Sequence, residues 1–76
     1  MVDKPTWPEV LADMHMATDA MKQKAAEMEA FHACLREGDW LGAEQHRLVA
    51  LARMEASMDA ETRAYRKQHE LTIGQG

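Results

Sequence analysis

The sequence predicts an all-α protein, an antiparallel hairpin of two long helices that dimerises into a four-helix bundle. Three observations lead there. The apolar residues are dominated by thirteen Ala and seven Met, with few β-branched or aromatic side chains and no Asn, a composition that favours helix and starves a sheet. One strong interruption, Arg36-Glu37-Gly38-Asp39-Trp40-Leu41-Gly42, divides the chain almost in half. Beyond it, Leu48-Val49-Ala50-Leu51-Ala52 is apolar on every side of a helix, and such a segment has to be surrounded.

Each element follows from local chemistry. Residues 1–5 form a lead-in. Thr6-Trp7-Pro8-Glu9 is a helix start: Thr6 suits the cap, Pro8 the first turn, and Glu9 stands three residues after Thr6 as a capping box requires. Helix 1 is expected over about residues 7–36, with Asp3, Glu9 and Asp13 near its positive end and Arg36 near its negative end. Its apolar residues recur in sevens. Trp7, Met14, Met21, Met28 and Leu35 form one row, Leu11, Thr18, Ala25 and His32 the next, and Val10, Ala17, Lys24 and Phe31 flank them. That spacing predicts a seam along a neighbouring, nearly parallel or antiparallel helix, with adaptable methionine in its core.

The turn is expected at 37–39, where Gly38 ends the first helix in a left-handed conformation and Asp39 caps the second. Helix 2 is expected over about 40–71, followed by a tail over 72–76. Trp40, Leu51, Met54, Met58 and Tyr65 share one face of it, alanines 43, 50 and 64 lie on one flank, and alanines 52, 56 and 60 on the other. One neighbouring helix cannot enclose the Leu48–Ala52 segment. The expected cover is a second hairpin related by two-fold symmetry, with Met21, Met28, Leu48, Leu51, Ala52, Met54, Met58 and Tyr65 at the dimer interface.

The stretch from Leu35 to Ala43, with Ala50-Leu51 beyond it, resembles the inter-repeat turn of tetratricopeptide proteins. The resemblance covers about a fifth of the chain and is one of turn chemistry. The helices here are far longer, no second copy of the repeat is present, and Arg47 stands where a large aromatic is expected. The overall plan is similar to small plasmid and phage regulators built as dimers of helical hairpins.

Seventy-six residues allow a single domain. The net charge of -4 argues against nucleic acid as a partner, because a phosphate backbone calls for a basic face. The single cysteine, Cys34, excludes an internal disulfide. The absence of a basic-then-apolar leader or a long apolar run leads to the expectation of a cytoplasmic chain without membrane contact.

Catalytic and cofactor sites are not expected. Cys34 and His32, two residues apart, point about 200° away from each other on a helix, so they do not form a nucleophile–base pair. Glu29-Ala30-Phe31-His32 has the Glu-x-x-His spacing of bundle metal sites. With Glu55 read as inward-facing on helix 2, it gives the alternative of a ferritin-like metal-binding bundle. A further alternative is a structural subunit of a larger assembly. The leading expectation is a non-enzymatic interaction protein, a small regulator or inhibitor that binds another protein, with Trp7, Met16, Phe31 and Trp40 as candidate contacts.

Overall fold

The computed structural model describes residues 4–74 and consists of two helices packed against each other, α1 (Trp7–Glu37) and α2 (Trp40–Gly74). The start of α1 follows its sequence. Thr6 is extended (φ -117°, ψ 158°), and its hydroxyl accepts from the Glu9 backbone N–H at 3.4 Å. At the turn, Gly38 adopts φ 75°. Its N–H donates to the Leu35 carbonyl at 3.2 Å while the Asp39 N–H donates to Cys34 at 2.8 Å, so two carbonyls left over at the helix end are satisfied. Asp39 then caps α2, its carboxylate accepting from the Gly42 N–H at 2.9 Å. A side chain at Gly42 would run into that carboxylate. A Cβ there would oblige the Asp39 side chain to shift from its capping position.

α2 extends to Gly74, past the expected end at 71. Thr72, Ile73 and Gly74 are helical rather than part of a tail, while Gln75 and Gly76, like residues 1–3, lie outside the described residues.

The contact between the helices corrects the expected seam. The residues that face α2 are the row Val10, Ala17, Lys24 and Phe31, together with Asp13, Ala20, Glu27 and Cys34, all buried or half-buried. From α2 they meet Ala43, Ala50, Ser57 and Ala64, which recur every seven residues, with His46, Ala60 and Lys67 beside them. The row expected to form the seam is turned about a quarter-turn away: Trp7, Leu11, Met21 and Leu35 are exposed, and Met14 and Met28 half-buried.

The reason is geometric. The flat row of small residues on α2 lets α1 approach closely, which brings many atoms into dispersion contact at once. Large side chains on both helices along the line of contact would hold them apart.

Polar groups fix the register of this thin seam. Near the open end Asp13, only 7% exposed, accepts from Lys67 Nζ at 2.7 Å and lies 3.7 Å from Arg63. In the middle the Ser57 hydroxyl donates to the Ala17 carbonyl at 3.0 Å. Towards the turn His46 Nδ1 meets Glu27 at 2.6 Å. No buried side-chain polar atom lacks a partner among the described residues. Sliding one helix by a turn would break all three contacts, so they select one pairing.

Candidate functional site

The two sides of the hairpin differ in chemistry. On one side a shallow groove is lined by Met16, Asp19, Ala20 and Gln23 of α1 and by Arg53, Ala56, Asp59 and Arg63 of α2. Those residues establish which flanks of the two helices lie together. The opposite flanks then share the other side, where α1 contributes Trp7, Leu11, Met14, Met21, Met28 and Leu35, and α2 contributes Trp40, Leu51, Met54, Met58 and Tyr65. This side is an apolar face running the length of a molecule 57 Å long and 17 Å wide. Trp40 is 70% exposed, Met58 58% and Tyr65 56%.

The face is interrupted by few charges. Glu44 and Arg47, one turn apart, form a two-pronged ion pair in which Arg47 Nε donates at 2.9 Å. Arg47 holds the Glu44 carboxyl below its ordinary value, and Glu44 raises the Arg47 guanidinium. Glu61 lies half-buried further along α2.

The residues singled out from sequence fall in four places. Met21, Met28, Leu51, Met54, Met58 and Tyr65 are on the apolar face, with Trp7 and Trp40 at its two ends. Leu48 is exposed at the outer pole of α2, opposite the seam, and Ala52 belongs to the flank on the groove side. Met16 lines the groove. Phe31 is half-buried at the seam, its ring 5.7 Å from that of His32.

The metal-site residues are not gathered. Glu29, His32 and Glu55 are each exposed. The reading of Glu55 as inward-facing is corrected: five residues from the seam position Ala50, it points about opposite to the contact line. Among the described residues no three His, Cys, Asp or Glu side chains come together.

Cys34 is half-buried beside the turn. Burial raises its thiol pKa, and Asp39 and Glu37 raise it further, which keeps it in the less nucleophilic protonated form. Arg63, Arg66 and Lys67 line a second open groove with Pro5, Glu9 and Glu70. Two of the three cations there already serve Asp13.

The polar register pairs were missed from sequence. The available signal was the position of Asp13 and Glu27 fourteen residues apart on the alanine-rich side of α1, and the one serine of the chain in line with Ala43, Ala50 and Ala64.

The chain is thus an all-helical hairpin with one polar and one apolar side. No protein-family model matches it, and no curated protein or solved structure shows significant similarity to it. No helix among the described residues is long and apolar enough to cross a membrane.

Proposed function

We propose that the protein is a non-enzymatic interaction module, a homodimer of helical hairpins that acts as a small regulator or inhibitor by binding another protein. The observation that carries the proposal is the uncovered apolar face with a tryptophan at each end. A hairpin closed on alanines leaves its largest side chains without a partner, and a second hairpin laid on that face completes a four-helix core.

The magnitudes agree. The chain exposes 5793 Å², about 1,100 Å² more than the roughly 4,700 Å² of a compact protein of its mass. A standard protein interface covers about 800 Å² on each partner. The methionines suit a surface that adapts to what it meets.

Once the dimer has formed, the surface left for a different protein includes Leu41 and Leu48 on the outer pole of α2 and the groove at Met16. Affinity capture with the unmodified chain tests the second half of the proposal. A stoichiometric partner lost on Leu48→Glu or Met16→Glu is expected. Capture of no protein above background would contradict it.

A further inference from the structure

We infer that the second copy lies on the apolar face with its turn end against the first copy's open end, about a two-fold axis passing close to Met21 and Met54. The inference rests on the homodimer proposed above and specifies which of two symmetric arrangements it takes.

Two rows of residues at seven-residue spacing run along the face. In α1 the row is Trp7, Met14, Met21, Met28 and Leu35, centred on Met21. In α2 it is Trp40, Arg47, Met54, Glu61 and Gln68, centred on Met54. The two centres stand at nearly the same height, because Ser57 bonds Ala17 on one side of them and His46 bonds Glu27 on the other. A two-fold axis crossing both helices at that height lays each row antiparallel on its own copy. Every position then meets a position of the same row. Met14 faces Met28 of the second copy, Met21 faces Met21, Met54 faces Met54, and Trp7 faces Leu35.

Charge selects this arrangement. With ends opposed, Arg47 faces Glu61 of the second copy and Glu61 faces its Arg47, so the dimer holds this ion pair twice. The other face-to-face symmetry puts turn on turn and lays α1 on α2 of the partner copy. Arg47 then faces Met28 and Glu61 faces Met14, so each copy would cover two ions with thioethers, a costly burial. Arg47 serves both carboxylates in the favoured arrangement, since its planar group carries five N–H donors and Glu44 uses only part of them. Glu61 makes no ion pair among the described residues of its own chain, and the second copy supplies one.

Two measurements on the full chain test the arrangement. The first is crosslinking of Met54→Cys in a Cys34→Ser background by mild oxidation or a short bismaleimide. It is expected to give a covalent dimer from this single variant. If it does not crosslink alone, yet does so when mixed with Met21→Cys protein, the turn-on-turn arrangement holds and the inference is overturned.

The second is charge exchange, followed by sedimentation with helicity as a check on folding. Arg47→Glu and Glu61→Arg are each expected to weaken dimerisation by about tenfold or more, and the double variant to recover to within about threefold of the parent. Glu61→Arg leaves the pair within the chain intact and is the cleaner single change. A double variant no better than either single would overturn the inference. A parent chain that is monomeric would overturn the homodimer itself, an outcome distinct from both.

Discussion

Along the seam, Ala43, Ala50, Ala60 and Ala64 are at most 3% exposed, whereas Trp40, Met58 and Tyr65 on the same helix remain more than half exposed. Within α2 the alanines on the contact line are thus covered, while Trp40, Met58 and Tyr65 are not. A contact between two helices is a line, and it is closest where side chains are short. Large side chains reach full burial only when more than one neighbour surrounds them. The seam is therefore what the two helices of one chain bury against each other, and the face is what that contact leaves exposed.

The contrast is broken most severely at the seam. Ala50→Leu forces extra volume between the helices and is expected to destabilise the fold by about 3 kcal/mol, read as a lower midpoint of thermal unfolding. A variant as stable as the parent would mean that the helices do not meet through Ala50. On the face the effect expected is on the proposed association. Leu51→Glu is expected to weaken dimerisation by roughly a hundredfold, equivalent to about 2.7 kcal/mol, because it places an unpaired charge in the core of the dimer. Leu48→Glu, three residues away on the outer pole, is expected to change it less than about threefold. Equal effects at Leu48 and Leu51 would remove the distinction between face and pole.

The turn contributes less. Nothing lies within 4 Å of a Cβ placed on Gly38, so Gly38→Ala is penalised for its left-handed backbone alone, by about 1 kcal/mol. Chemical denaturation of the two proteins at equal concentration measures it.

The gentlest change is in pH. The hydrogen bond from Lys67, with the charges of Lys67 and Arg63, holds the Asp13 carboxyl below its ordinary value of 3.8. A carboxyl lowered in the folded state stabilises the fold fully above its unfolded pKa, and that contribution is lost as pH falls through the folded value. Stability is expected to decline below about pH 4, and Asp13→Asn to remove part of that decline. Identical acid profiles for the two proteins would show that the carboxylate does not hold the open end.

The sequence exposes some of this architecture directly. Thr6, Pro8, Gly38 and Asp39 act through neighbours a few residues away, so both helix starts and the turn can be read from order alone. The row of Trp7, Met14, Met21, Met28 and Leu35 is also legible as a packing surface, but periodicity does not say which helix it meets. Its partner was expected within the hairpin, whereas that place is taken by Val10, Ala17 and Phe31. The choice depends on the distance at which two helices settle, and Asp13–Lys67, Ser57–Ala17 and Glu27–His46 fix that pairing across 54, 40 and 19 residues of chain. Leu48 and Leu51 look equivalent in an apolar run. They separate only once Ala50 is known to face the seam.

Sedimentation equilibrium of the unmodified chain tests the central claim most directly. The proposed dimer lays a second copy on the face, so the species expected at micromolar concentration has about twice the 8.6 kDa mass of one chain. A folded, helical and monodisperse species of one chain's mass, unchanged as concentration rises, would contradict it.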